Sequence, residues 1–353
     1  HFDVPLAKRV AGASPFRFAS TTRDGQSQVQ IESSLQGVAL DLPPPFSKAA
    51  GEAWPLRIER TVAAAGGAAQ RFDITLAKVL GARVQVRSEG GRLVVDRAGI
   101  GVGDVGVALP DRPGVFVSAS VAALDLDRFL ALQGESTASA PTFQIAALSL
   151  RTAELTVGGK VFHDVQARAT HAPPARWQVA VNAREVSGDV SYSSDGKGAV
   201  VAKLKHLVHP ESSAAAADST GRQTLDSLPA IELSADSYVF NGRSLGRLEV
   251  RAVNERRDWR VEKLALVSAD CTFGAKGLWQ PPAGATAART SFAFDIEAAD
   301  VGKCLTRLGY PETVSGGTAR LDGEAEWSGP VYALHFPTLA GKLTLDAQKG
   351  TPV

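Results

Sequence analysis

Ser34-Leu35-Gln36-Gly37-Val38-Ala39-Leu40-Asp41-Leu42-Pro43-Pro44-Pro45-Phe46-Ser47-Lys48, completed by Gly51, Trp54, Pro55 and Leu56, sets the reading of this chain. Leu35 and Gly37, then Leu40 and Leu42, alternate with their neighbours as a half-buried strand does. Three prolines then fix φ and remove three backbone donors, so the strand stops. A short helical turn is expected over Phe46 to Ala50, ended by Gly51. Leu56-Arg57-Ile58-Glu59 resumes the period of two.

Outward from this corner the same period recurs. Val29 and Ile31, Val84 and Val86, and Val115, Val117, Ala119 and Val121 each share a face. So do Trp177, Val179 and Val181; Ile231, Leu233 and Ala235; Leu248, Val250 and Ala252; Phe292, Phe294, Ile296 and Ala298; and Leu321, Gly323, Ala325 and Trp327. Glycine turns at Glu89-Gly90-Gly91-Arg92, Val157-Gly158-Gly159-Lys160 and Ser194-Asp195-Gly196-Lys197 separate neighbouring strands. The expected fold is mainly β, a long succession of antiparallel hairpins. Helices are expected at Leu126 to Leu132, at Val301 to Leu308 and at the Phe46 corner, with Asp300 as N-cap and Gly309 just past the C-terminus of the second.

Two small, polar stretches, Gly134 to Pro141 and Pro210 to Asp226, read as exposed loops. The first divides the chain into a β module over 1–135 and another over 141–353, unless the sheet is continuous. A weak repeat runs through the second module. Gly159-Lys160 leads to Trp177-Gln178-Val179, and Gly242-Arg243 leads to Trp259-Arg260-Val261 about 80 residues later.

Composition narrows the function classes. The 353 residues carry 38 Lys plus Arg against 37 Asp plus Glu, a net charge of +1, and the basic residues are scattered. That balance argues against nucleic acid and against an anionic membrane surface. No run approaches the ~18 consecutive apolar residues of a membrane span. The sequence has no Met, so His1 reads as an internal start, with any signal or anchor outside it. Cys271 and Cys304 allow one bridge in an oxidising compartment, but their local patterns read as two small buried hydrophobes.

Chemistry is sought and mostly not found. Gly101-Val102-Gly103-Asp104-Val105-Gly106 matches G-x-G-x-x-G, yet Val107-Ala108-Leu109 reads as further strand and Pro110 stops it. Without a following helix there is no pyrophosphate site, so no cofactor is expected. His206 and His209 lack the further ligands of a metal centre, and His163-Asp164 lacks a nucleophile, so neither a metal nor a catalytic residue is expected. Asp125 and Asp127 are explained by helix capping, and Asp322 and Glu324 by the polar face of a strand. The five tryptophans open or close strands and read as sheet-end packing. The inward stripes are rich in Val, Ala and Gly. Small residues there either leave width for an acyl chain or let two sheets of a sandwich approach closely.

Several segments resemble the YhdP branch of the AsmA-like envelope proteins. Besides the proline corner, these are Leu109-Pro110-Asp111-Arg112-Pro113-Gly114, Leu124 to Leu130, Leu228 to Leu233, Gly242 to Glu249, Leu278-Trp279, Asp300-Val301-Gly302-Lys303 and Leu308-Gly309. Phe46 stands where Leu is common, and the Pro210 to Asp226 loop matches poorly. The resemblance implies a long curved sheet lined by apolar residues, a bridge segment in the periplasm of a protein anchored in the inner membrane. It also implies phospholipid movement between inner and outer membranes and upkeep of the outer-membrane permeability barrier. No catalytic residue comes with it, so a non-enzymatic role is expected. The lane for phospholipid acyl chains is expected to be lined by Leu40, Val84, Val86, Val117, Val121, Val179, Leu233, Val250, Phe292, Phe294 and Leu343. Envelope proteins are expected partners at the ends of a longer chain. The rivals are an assembly scaffold with a closed sandwich core and, further off, a hydrolase.

Overall fold

The computed structural model describes residues 9–23, 26–62, 69–134, 145–209, 228–281, 288–311, 314–331, 334–348 and 351–352. Contacts divide the chain into two compact units, His1–His171 and Ala172–Val353. The expected boundary at 135–141 lies outside the described residues, but the strands on either side of it pair with each other, and the units divide later.

The first unit contains β1 (Val10–Gly12), β2 (Phe16–Arg23), β3 (Gln26–Ser33), β4 (Val38–Leu40), β5 (Leu56–Val62), β6 (Ala69–Leu76), β7 (Leu80–Glu89), β8 (Arg92–Gly103), β9 (Gly114–Asp125), α1 (Leu126–Gly134), β10 (Ile145–Val157) and β11 (Lys160–Ala172). Its main ladder runs β2-β3-β5-β6-β7-β8-β9-β10-β11. The second unit contains β12 (Arg176–Asn182), β13 (Val186–Ser193), β14 (Ala199–Val208), β15 (Ala230–Phe240), β16 (Arg243–Glu255), β17 (Asp258–Val267), β18 (Cys271–Gln280), β19 (Arg289–Ala298), α2 (Val301–Leu308), β20 (Val314–Ser315), β21 (Thr318–Ser328), β22 (Ala340–Gln348) and β23 (Thr351–Pro352). Its ladder runs from β12 through β19 to β21 and β22 in chain order. Two-stranded sheets β1–β4 and β20–β23 complete the described strands.

The fold is mainly β, as the alternation dictates, and most pairs are antiparallel; β7–β8, β10–β11 and β13–β14 close at the expected glycine turns. Among the described residues three pairs are parallel instead: β8–β9, β9–β10 and β14–β15. A parallel pair needs a connection that carries the chain back along the sheet. Residues 104–113 supply the first return, and α1 follows β9 at the start of the second. The stretches 135–141 and 210–226, read as loops, lie outside the described residues.

Segment 104–113 also corrects the reading of the G-x-G-x-x-G match. Residues 105–110 are not strand. They lie over the glycines of β7 and β8: a Cβ on Gly99 would stand 2.1 Å from the Ala108 carbonyl oxygen, and one on Gly101 2.6 Å from Val107 Cγ2. The glycines are there to admit the returning chain.

The proline corner contains no helix at Phe46. The Phe46 N–H donates to the Pro43 carbonyl (3.0 Å), closing a turn. Lys48 and Leu40 then exchange both backbone bonds, at 2.9 and 3.1 Å. The Lys48 ammonium, 3% exposed, donates to the carbonyls of Leu35, Val38 and Ala49. An internal cation satisfied by three carbonyls holds the corner where a helix was expected. Both other helices form. Asp125 caps α1 through the Arg128 N–H (3.1 Å), and Asp300 caps α2 through the Lys303 N–H (3.0 Å). Gly309 ends α2 in the left-handed region at φ 98°.

Candidate functional site

Because side chains alternate across a strand, residues paired across a ladder share a face. One row can therefore be followed through each unit. In the first it runs Phe18, Ile31, Ile58, Ile74, Ala82, Ile100, Val117, Leu148, Ala169. In the second it runs Val179, Val190, Ala202, Leu233, Val250, Leu264, Ala275, Phe294, Gly323, Leu343. No polar side chain interrupts either row. At ~4.8 Å between strands, the second row is about 43 Å long.

Five of the expected lining residues, Val179, Leu233, Val250, Phe294 and Leu343, lie in that single row, and Phe292 lies in the adjacent one with Val261, Gly277 and Ala325. Val84 and Val86 on β7, and Val117 and Val121 on β9, share the apolar face of the first unit. Leu40 does not join them. It sits in β4, paired with Val10 of β1 and bridged to Lys48, apart from the main ladder. Alternation alone assigned it to the sheet, and the proline corner redirects it.

The rows are kept in phase by bulges. At Gln85/Val86 and at Arg251/Ala252 the register shifts by one residue, and apolar side chains stay on the same face on both sides.

The small residues do not all leave width. Ala235 is 0% exposed, packed with Ala202, Leu204 and Leu248. A Cβ on Gly277 would meet the Phe292 ring at 2.5 Å, and one on Gly323 the Phe294 ring at 2.6 Å. Neighbouring large side chains fill those positions, as aromatics do over strand glycines. Among the described residues, neither unit has a further sheet of more than two strands, and part of the face stays exposed. Val250, Leu264, Phe292 and Phe294 stay half-buried, and at the outer strand Leu343 and Leu345 are 68% and 63% exposed.

The two ends of these strands differ. At one end Trp259, Trp279, Thr290 and Trp327 pair across β17, β18, β19 and β21, all buried. Leu228 and Val331 pack on this cluster. The indole N–H groups of Trp259 and Trp327 donate to the carbonyls of Pro229 (2.8 Å) and Pro330 (3.2 Å). At the other end Cys271, which opens β18, is disulfide-bonded to Cys304 of α2, with Cα atoms 5.6 Å apart. This corrects the expectation of two unpaired hydrophobes. Arg307 of α2 also pairs with Asp270 and donates to the Ser244 carbonyl, so the helix is pinned covalently and ionically to that end.

The reverse face is charged. Asp189, Lys203, Ser234 and Glu249 follow one another across it, and cross-strand pairs such as Arg251–Glu262 (3.0 Å) and Arg320–Glu297 (3.2 Å) lie exposed. Such pairs are each worth about 0–1 kcal/mol. The Lys263 ammonium, hydrogen-bonded to Glu249, holds that carboxyl below the ordinary carboxylate range. Burial pushes the Tyr238 phenol up. Cavities of about 720 and 660 Å³ open on this side among the side chains of Lys276, Glu324 and Lys342, with apolar neighbours such as Leu278 and Ala293 in their walls.

The chemistry-bearing residues weighed in the sequence are dispersed. His206 lies 3.3 Å from the Arg184 carbonyl, the His209 ring packs edge-on to Phe240, and Asp322 pairs with Arg320 (3.0 Å). Asp127, inside the first turn of α1, serves elsewhere than the expected cap: its carboxylate accepts the N–H groups of Gly158 and Gly159, both at 2.8 Å. Among the described residues no three His, Cys, Asp or Glu side chains gather into a metal site, and no helix is long and apolar enough to cross a membrane.

Against curated proteins and against solved structures the chain has no match. The family model described as YhdP protein matches residues 1–352, almost the whole sequence, and the chain therefore belongs to the YhdP family.

Proposed function

We propose that the chain is a segment of a non-enzymatic conduit that moves phospholipid between the inner and outer membranes and so maintains the outer-membrane permeability barrier. Family membership connects it to membrane lipid transport. The observation that carries the finer reading is the unbroken apolar row in each unit, half-exposed and backed by a charged face. Hydrocarbon laid on such a row leaves water at a gain of about 0.8 kcal/mol per CH₂. A row without polar pockets grips no point along its length, which suits passage better than storage. The Cys271–Cys304 bridge supports an oxidising compartment, the periplasm.

The test is Phe294→Asp, which places a carboxylate in the centre of the second row. Lipid retained by the purified chain, read by mass spectrometry, is expected to fall by at least about tenfold, since an unpaired charge in an apolar site costs several kcal/mol. Unchanged lipid content in a folded variant overturns the conduit.

A further inference from the structure

We propose that α2 is a side wall of the lane in the second unit, with Leu308 touching the acyl chain, and that the Cys271–Cys304 bridge holds it there. The inference rests on the lipid reading above and adds a lining element that lies outside the sheet.

The placement follows from alternation. On β18, Cys271 has the parity of Phe273 and Ala275, so its side chain stands on the apolar face. Cys304 is bonded to it there, which holds α2 on the apolar side of the sheet and not on the charged one. The helix also runs along the strand ends. At its start the Val301 N–H donates to the Gly317 carbonyl just before β21 (3.0 Å). Near its end Arg307 donates to the Ser244 carbonyl of β16 (3.1 Å). Between those two anchors lie β19, β18 and β17, so the helix follows the direction of the apolar row.

Its rotation is set by the same contacts. At 3.6 residues per turn, Leu308 stands about 40° to one side of Cys304 and Arg307 about 60° to the other. Arg307 reaches Asp270, in the turn that precedes β18 and outside the ladder. Leu308 is thereby turned the opposite way, over the strands. It shares the helix side of buried Cys304, yet it remains 43% exposed. An acyl chain passing beside it removes that surface from water.

The sheet raises no margin of its own at this end. The terminal row from β18 to β22 is Cys271, Ala298, Ala319 and Ala347, all small. The next row inward is Phe273, Ile296, Leu321 and Leu345, all bulky. The opposite margin is the tryptophan row, about 27 Å from Cys271 along β18 at ~3.4 Å per residue.

The experiment places a photoreactive benzoylphenylalanine at Phe294, at Leu308 or at Thr306, which is exposed on the side of α2 away from Cys304. Each purified chain is irradiated with vesicles of phosphatidylethanolamine and phosphatidylglycerol, and adducts are read by intact-protein mass spectrometry. Lipid adducts are expected at 294 and 308, and at least about tenfold fewer at 306, the factor set by burying one leucine side chain. Replacing both cysteines by alanine should lower adducts at 308 relative to those at 294. Partial unfolding lowers both and leaves that ratio unmoved. Absence of adducts at 294 overturns the lipid reading itself. Adducts at 294 with none at 308, or equal yields at 308 and 306, overturn the wall alone. Crosslinks from 308 to a second copy of the chain also overturn it, by making α2 a contact between copies. An unchanged ratio without the bridge overturns the positioning role of the cysteines.

Discussion

In the first unit Val105, Val107 and Ala108 lie against the reverse side of β7 and β8, over Gly81, Gly99 and Gly101. In the second, the reverse side of β16 to β21 carries cross-strand ion pairs such as Arg251–Glu262 and Arg320–Glu297. Their helices differ as well. Within α1, Asp127 accepts two turn N–H groups and Phe129 meets Phe46 edge-on at 6.1 Å, whereas α2 is bonded covalently to β18. The apolar row is common to both units while its supports are not. What the two ladders share is therefore the face, and each unit secures the rest of its sheet by its own local chemistry.

That contrast can be broken in order of expected effect. Cys304→Ser opens a bridge that closes a 33-residue separation. It is expected to destabilise the second unit by about 3–4 kcal/mol on the loop-entropy estimate and to leave the first unit unchanged, as read by hydrogen exchange resolved along the chain. Gly99→Val drives a side chain into the Ala108 carbonyl and should cost the first unit about 3 kcal/mol. Gly274→Ala, on the reverse side of the second unit, meets only the Asp295 carboxylate at 2.8 Å, a side chain free to turn aside. Thermal melts should show a large loss for the former and almost none for the latter. If both are tolerated, the returning segment does not press on the glycines.

Asp127→Asn keeps the shape but weakens two charge-assisted bonds. About 1–2 kcal/mol should be lost, with faster exchange at Gly158 and Gly159. The smallest effect is at Glu249. Its carboxyl titrates below the ordinary range in the folded chain because of Lys263. The stabilisation is therefore present above the unfolded value, about 4.3, and is lost as pH falls through the folded one. Melting curves of wild type and Glu249→Gln should separate slightly at neutral pH and converge in acid.

Much of the face was legible from spacing. Val179, Leu233, Val250 and Phe294 were read as inward-facing in separate alternating strands and named with Leu343 as lining, and the registers bring the five into one row. What spacing could not supply was how strands are joined. The order of the strands alone does not tell an antiparallel neighbour from a parallel one, as at β8–β9, where the described segment 104–113 makes the return. Leu40 satisfied the alternation yet follows the corner, because the Lys48 ammonium and the β1 pairing lie outside any periodic signal. The bridge between Cys271 and Cys304 was hidden for a related reason: a strand and a helix meet there through folding that neither local pattern encodes. The Trp259, Trp279 and Trp327 positions were read as strand ends, which is correct, but their common row appears only once β17, β18, β19 and β21 are aligned.

The phase of the rows limits how such a gene can change length. Inserting one codon within β17 would turn every later side chain of that strand over, sending Leu264 and Leu266 to the charged side and Lys263 to the oily one. Tolerated insertions and deletions should accordingly come as pairs of residues, as complete hairpins, or at places such as Arg251/Ala252 where a bulge already absorbs an odd residue. A mutational scan of single-residue deletions would map the lane by its intolerance, strand by strand.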